Sequence, residues 1–358
     1  MFNVMTDKII TIGTRKIGPG QPVFIIAEMS CNHNQDINRA YAIIDAAAKA
    51  GVDAVKLQTF KPDVITIDCD NKYFQVNVND AWKGQTLYDL YQQTYTPWEW
   101  QAQLKEYGEK KGLVVFSTPF DEMAVDFLEN LKVEIYKIAS FESGDLELLK
   151  KVGSTKKPVI ISRGMTSKED LDLAIKTLKA AGSPQVAVLH CVSSYPAPVS
   201  QMNLATIFDI TKEFDVITGL SDHSMDNLGF VVPLVAVSLG ASIIEKHFTL
   251  SRSDGGLDSA FSLEPQEMAA MVSAIRDAEK AIGRPTYEVK DNEAENLIFR
   301  RSLFVVKDIK KGEAFTKNNI RSIRPGYGLA PKHLEAILGK SAVQDIATGT
   351  PLSWELIN

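Results

Sequence analysis

The sequence predicts an α/β chain, a (β/α)8 TIM barrel followed by a small C-terminal β domain. Three observations carry this. Eight short apolar, β-branched runs recur between residues 23 and 244, with amphipathic stretches between several of them, the signature of parallel βαβ units. Each run ends in groups capable of chemistry or recognition, as expected if all eight strand ends open onto one mouth. After Ala281 the alternation stops, and β-like signals with an internal echo take over.

In order, the runs are Val23–Ala27, Ala54–Leu57, Leu113–Phe116, Glu134–Ile138, Pro158–Ile161, Val186–Leu189, Val216–Thr218 and Ser242–Ile244. Between several of them Asn38–Ala50, Met123–Asn130, Lys168–Ala181 and Met202–Phe214 place apolar residues at helical spacing. A doubly wound sheet shares this local signature, but its ligand contacts gather near one switch point. Here the polar groups mark every end: Glu28; Lys56 and Gln58; Ser117 and Thr118; Lys137 and Ser140; Ser162 and Arg163; His190 and Cys191; Ser221 to His223; Glu245 to His247. The connection from Lys61 to Trp100 is long and aromatic, with Tyr73, Trp82, Tyr88, Tyr91 and Trp98. It reads as a lid or partner-facing flap, or as packing against the barrel.

Gly283-Arg284-Pro285 ends a helix, and the polar stretch to Asn296 reads as a linker. Beyond it, Asp308–Thr316 and Asp345–Ser353 share the pattern D-I-x-x-G-x-x-[FL]-[TS], which predicts a pseudo-symmetric β domain. The expected organisation is a barrel over residues 1–282, a linker over 283–299 and a small domain over 300–358.

The 358 residues include 39 basic and 45 acidic side chains, a net charge of −6. That balance lacks the footprint of a nucleic-acid binder, so any anionic ligand must meet cations concentrated locally. Three cysteines, Cys31, Cys69 and Cys191, with no Cys-x-x-Cys pair, exclude a disulfide framework and a thiolate zinc site. The N-terminus lacks a basic start and apolar core, and the uncharged stretch Leu228–Ile244 is interrupted by Pro233 and Gly240. No membrane span is expected, and the location expected is cytoplasmic.

Two of the five histidines, His223 and His247, end the last two predicted strands. Neighbouring barrel strands bring such imidazoles within reach of one divalent metal, Mn, Fe, Co or Zn in preference to Ca or Mg. The alternative is a pair of hydrogen-bonding core histidines. Glu28 is a candidate ligand, base or water-orienting group, and Asp258, past the Asp254-Gly255-Gly256 turn, is able to reach the same centre. Lys56 and Lys137 stand within strands, where lysine is disfavoured unless paired. Pointing into a barrel mouth, they suit a phosphate and a carboxylate, with Thr118, Ser140, Ser162 and Ser221 as hydroxyl donors. A barrel lysine forming a Schiff base with a carbonyl is the chemically distinct alternative. Gly-rich nucleotide fingerprints are absent.

At these residues the chain resembles the sialic acid synthase family. The resemblance rests on Ile26–Asn34 (IAEMSCNHN), Val55–Thr59 (VKLQT), Ser117–Asp121 (STPFD), Tyr136–Ser140 (YKIAS), Gly219–His223 (GLSDH) and Glu245–Thr249 (EKHFT). Ile323–Gly328 (IRPGYG) resembles that family's antifreeze-like SAF domain, a β-clip. Lys137–Glu142 (KIASFE), Leu87–Tyr91, Tyr95–Trp100, Asp258–Pro265 and Gly349–Trp354 look most like the branch that makes pseudaminic acid. Two departures stand out. Arg163 brings a bulky cation to the phosphate-side strand end where threonine is usual, and Val192-Ser193-Ser194 precedes Tyr195 in place of Thr-Ser-Ala.

The resemblance implies condensation of phosphoenolpyruvate with the open-chain aldehyde of 2,4-diacetamido-2,4,6-trideoxy-L-altrose, giving pseudaminic acid and phosphate. It implies a divalent cofactor, Mn2+ first with Mg2+ or Co2+ as alternatives, held by His223 and His247. Glu28 would act on water, while Lys56, Thr118, Lys137, Ser140, Ser162 and Ser221 clamp phosphate and carboxylate. Gln58, Glu142, Tyr195 and Asp258 would contact the sugar or metal-bound groups. Arg324 would reach the acetamido sugar in the partner subunit of a domain-swapped homodimer. Rival readings are a sister synthase making N-acetylneuraminic or legionaminic acid, a Schiff-base aldolase using Lys137 or Lys246, and a non-enzymatic carbohydrate-binding protein on a disabled barrel.

Overall fold

The computed structural model describes residues 8–77 and 83–358; Trp82 and the N-terminal segment before Lys8 lie outside the described residues. Each apolar run becomes a parallel strand because β-branched side chains fill both faces of a pleat buried on both sides. After a hairpin of β1 (Ile10–Ile12) and β2 (Arg15–Ile17) come the eight barrel strands β3 (Phe24–Glu28), β4 (Ala54–Thr59), β5 (Val114–Pro119), β6 (Tyr136–Ile138), β7 (Val159–Ser162), β8 (Val186–Cys191), β9 (Ile217–Asp222) and β10 (Ile243–His247). They close in sequence order, with β10 pairing back onto β3.

Intervening helices are set by local capping. Asp36, Asp121, Asp145 and Ser167 each accept a backbone N–H of the first turn, which satisfies groups the helix leaves unpaired. Gly51, in the left-handed region at φ 83°, closes the helix Ile37–Ala50. The predicted Met202–Phe214 helix starts later, at Ala205, behind a 3-10 turn at Val199–Gln201.

Inside the barrel the side chains change character along the strand direction. Phe24, Ile26, Ala54, Phe116, Ile160, Leu189, Ile217 and Ile243 make an apolar lower interior, and Ile10, Ile12 and Ile17 of the hairpin join it. The hairpin, which none of the eight apolar runs in the sequence marks, thus packs on the apolar end. Above this lie Glu28, Lys56, Lys137 and Glu245, all buried. The period of two on a strand sends Glu245 and His247 inward and Lys246 outward. Lys246 is fully buried there, donating to Asp222 Oδ2 at 2.7 Å and to the Ser224 carbonyl. Gly219 sits where a Cβ would approach the Ile243 carbonyl to 2.4 Å, so the β9–β10 contact admits no larger residue.

The chain divides between Gly283 and Arg284 into two units. In the second, residues 284–299 include a turn of helix at Asp291–Ala294 and a 3-10 turn at Glu295–Phe299, where a linker was expected. β11 (Ser302–Val305) and β12 (Ile320–Ile323) pair antiparallel. The two echoed turns face each other: Asp308 accepts from Thr348 N and Asp345 from Lys311 N, each at 2.8 Å, with Ile309 bridged to Ile346. Among the described residues no helix is long and apolar enough to cross a membrane.

Breaking a buried ion pair by removing one partner costs about 3–5 kcal/mol, because the other charge is stranded. Asp222→Ala is expected to lose that order of stability in urea unfolding. The double change Asp222→Leu with Lys246→Met should recover most of it.

Candidate active site

The strand ends of the barrel surround a cavity of about 350 Å³. At its floor four ionisable groups converge from β3, β4, β6 and β10. Lys56 Nζ is ion-paired with Glu28 Oε2, lies 3.8 Å from Glu245 Oε1 and donates to Thr118 Oγ1 at 3.2 Å. Lys137 Nζ lies 3.4 Å from the same Glu245 oxygen, which also accepts from Ser221 Oγ at 2.9 Å. β4 and β6 are not neighbours, yet one carboxylate from β10 spans both lysines across the interior.

Burial decides how these groups titrate. Desolvation raises the Glu28 carboxyl to about 7, with Glu245 adding to the rise and Lys56 opposing it. Glu245 also suffers desolvation, but Lys137 and Lys56 overcome it and hold its pKa below the ordinary value. Near neutral pH the floor therefore exchanges a proton at Glu28, while burial pulls Lys137 below the ordinary lysine value against the attraction of Glu245. Glu28 Oε1 accepts from Ser30 N at 3.0 Å and Gln58 Nε2 at 3.2 Å, which fixes its orientation.

At one side of the cavity His223 and His247 face each other with ring centroids 5.3 Å apart. His223 Nδ1 lies 3.1 Å from the Val192 carbonyl, which leaves its Nε2 for another partner. His247 Nδ1 is buried without a hydrogen-bond partner, 3.6 Å from Asp258 Oδ2. Burial and then the neighbouring His223 keep the His247 ring well below the ordinary histidine range, in the neutral form that ligates metals. The pair fits a borderline divalent ion with two protein ligands and open positions. Among the described residues no three His, Cys, Asp or Glu side chains form a ready-made cage, so further ligands would come from substrate or water.

Of the residues singled out in the sequence, Lys56, Gln58, Lys137, Ser140, Glu142, Ser162, Tyr195, Ser221, His223, His247 and Asp258 line this one cavity. Glu28 and Thr118 join it through Lys56. Ser162 Oγ is buried with no partner, a donor free for a ligand. Burial lifts Glu142 to about 7. Tyr195 stacks near His223 at 4.4 Å between ring centroids. Arg324 belongs to the other unit, exposed just after β12.

Arg163 departs from expectation: it lines a separate cavity of about 380 Å³ with His190 and Gln201, because Ser162 takes the inward position. Lys246 is likewise excluded from the cavity by strand alternation. His33, inside the motif Ile26–Asn34, meets Thr96 at 3.2 Å and packs edge-on to Trp100. Glu245, one of the strand-end polar groups in the sequence, is a functional residue that its position alone does not single out. Its signal was the Glu-Lys-His run, in which the first and third residues share the interior.

The sign of the Glu28 effect on stability follows from the raised carboxyl. Its neutral form favours folding below the ordinary carboxylate range, and that contribution is lost as pH rises through about 7. Unfolding curves from pH 5 to 8 should show wild type losing stability relative to Glu28→Gln. A constant difference would mean that Glu28 is already ionised throughout.

Residues 43–287 match the NeuB family, and residues 300–358 match the SAF domain. The pseudaminic acid synthase of Campylobacter jejuni is 42% identical, over 92% of this chain and 95% of that protein. The N,N'-diacetyllegionaminic acid synthase of Legionella pneumophila is 37% identical, over 96% of this chain and 97% of its own. Among solved structures, the N-acetylneuraminic acid synthetase of Leptospira borgpetersenii, in complex with citrate, superposes with a TM-score of 0.72 at 35% identity, covering 82% of this chain and 96% of that one. By the family match and by likeness along nearly its whole length, the chain belongs to the NeuB family.

Proposed function

We propose that the chain is a pseudaminic acid synthase, condensing phosphoenolpyruvate with 2,4-diacetamido-2,4,6-trideoxy-L-altrose and water to give pseudaminic acid and phosphate. The observation that carries the reading is the buried Lys56–Lys137 pair, set beside Glu28 and two imidazoles in one cavity. A small trianion is the ligand that such a pair of desolvated ammoniums favours. Likeness to a pseudaminic acid synthase over nearly the whole chain selects the branch.

In this reading Lys56, Lys137, Thr118, Ser140, Ser162 and Ser221 hold the phosphate and carboxylate of phosphoenolpyruvate. The enol carbon bonds to the aldehyde carbon, whose oxygen takes a proton and becomes a hydroxyl. Water adds at C2, oriented by Glu28, and its two protons end on the former aldehyde oxygen and on the departing phosphate. The C2–O bond to phosphorus then breaks, phosphate leaves with the electron pair, and the ketone forms. A divalent ion on His223 and His247, Mn2+ in the first place, would supply Lewis-acid polarisation of the aldehyde. Gln58, Glu142, Tyr195 and Asp258 orient the sugar.

The family resemblance adds a domain-swapped homodimer in which Arg324 meets the acetamido sugar of the partner subunit. Tyr287, Phe299 and Tyr327 are exposed on the C-terminal unit, apolar surface suited to such an assembly. We read the chain as cytoplasmic.

Phosphate release with each open-chain sugar tests the substrate: the diacetamido trideoxy sugar should exceed N-acetylmannosamine by at least about tenfold, and the reverse preference would transfer the chain to a sister activity. EDTA should abolish turnover, with Mn2+ restoring it. Turnover indifferent to EDTA, together with borohydride trapping of pyruvate on Lys137, would favour the Schiff-base reading. Mixed dimers of Arg324→Ala and Glu28→Ala subunits should regain activity that neither parent has. No recovery in verified mixed dimers would remove the shared site.

A further inference from the structure

The residues that hold charge account for the floor and one side of the cavity. Much of the remaining wall is apolar: Phe60, Ile65, Leu90 and Phe120 come from the ends of β4 and β5 and the segment after β4, while Ala139 and Phe141 follow β6 and Leu257 follows β10. Phe60 follows β4, and Phe120 follows β5. Of the described helices between those strands, Pro62–Ile65 and Leu87–Thr94 bring Ile65, Leu90 and Tyr91 to the same cavity. The wall is one aromatic cluster: Phe60 meets Tyr91 at 5.7 Å and Phe120 at 5.1 Å between ring centroids, both edge-on. Phe60 and Leu90 are buried. Trp98 Nε1 donates to the Phe60 carbonyl at 3.1 Å, tying the returning chain to the strand end. This part of the wall is thus shared between two strand ends, which give Phe60 and Phe120, and the long aromatic connection, which gives Ile65, Leu90 and Tyr91.

We infer that the apolar wall of Phe60, Ile65, Leu90 and Phe120 selects an acetamido sugar whose chain ends in a methyl group over one ending in hydroxymethyl. This rests on the proposed synthase reading, which sets the reacting aldehyde at the histidines and the phosphate at the lysines. The distal end of the sugar then lies against the remaining wall. A terminal methyl there loses water from apolar surface on both sides. A terminal hydroxyl would leave water for a wall whose apolar members give no hydrogen bond, and a buried hydroxyl without a partner is disfavoured. Tyr91 and Thr94 are the hydroxyl-bearing residues this segment brings to the cavity; the Thr94 hydroxyl donates to the Leu90 carbonyl at 3.1 Å, and the Tyr91 hydroxyl suits an amide group that both kinds of sugar share. The long connection then acts as a specificity element for the far end of the substrate.

The test compares kcat/KM, by phosphate release, for 2,4-diacetamido-2,4,6-trideoxy-L-altrose and its 6-hydroxy counterpart of the same configuration. Wild type should prefer the 6-deoxy sugar by about 10- to 100-fold, the range an apolar pocket achieves against an added hydroxyl. Ile65→Thr and Leu90→Asn should each cut that preference at least about fivefold, chiefly through KM. Because the two sugars compete for the same enzyme molecules, the ratio is unaffected by the fraction of a variant that folds. A wild-type ratio near one, or a ratio unchanged in both variants, would overturn the inference while leaving the synthase reading intact. Phosphate release with N-acetylmannosamine but with neither diacetamido sugar would instead overturn the synthase reading, and this inference with it.

Discussion

Two lysine ammoniums held in the interior of a barrel, with Glu28 and Glu245 as their counter-ions, are the constraint on which the other features depend. Isolated charges in such a place are strongly disfavoured, and even paired ones rarely stabilise a fold relative to apolar residues. The barrel accommodates them by layering. The apolar interior from Phe24 to Ile243 and the hairpin Ile10–Ile17 supply hydrophobic burial at one end, which leaves the other end free for chemistry. Glu245 holds both lysines near one point, and Glu28 releases or keeps a proton near neutrality. Charge, hydroxyls and imidazoles then meet in one desolvated cavity. There a polar group acts on a ligand more strongly than it would in water.

The alternation of apolar runs and helical stretches made the barrel legible, because a parallel strand buried on both faces leaves an uninterrupted apolar signal. The strand ends made most of the cavity legible for the same reason: their polar residues interrupt that signal. What stayed hidden depends on register and on partners distant in sequence. Lys246 looks like a site lysine until strand pairing shows it turned outward onto Asp222. Glu245 looks like one polar group among many until the closed sheet sets it opposite Lys56 and Lys137. The hairpin below the barrel is too short and too polar at its turn to announce where it packs. Arg163 follows an inward serine, so the pleat that brings Ser162 to the cavity takes Arg163 out of it.

A motif can also serve structure and chemistry at once. Within Ile26–Asn34, Glu28 pairs with Lys56 beneath the cavity, whereas Asn32 donates to the Phe248 carbonyl and Ser262 Oγ, and Arg39 donates to the Asn32 carbonyl. These bonds tie the end of β3 to the segment after β10, where the barrel closes. The small domain uses a different device, in which each echoed turn lends its aspartate to the other. The repeat was visible in the sequence, but the exchange of caps between its copies was not, since it requires the two turns to face each other.

We propose that the floor is an anion receptor whose charge is adjusted by Glu28. Calorimetry of phosphoenolpyruvate binding at pH 8, in two buffers of different ionisation enthalpy, tests this most directly. A trianion settling on Lys56 draws that ammonium from Glu28 and adds negative charge beside it, so both effects raise the carboxyl further. Net uptake of a proton on binding is expected, approaching one per site, and it should be lost in Glu28→Gln. A binding heat independent of the buffer, or proton uptake that persists in Glu28→Gln, would contradict it.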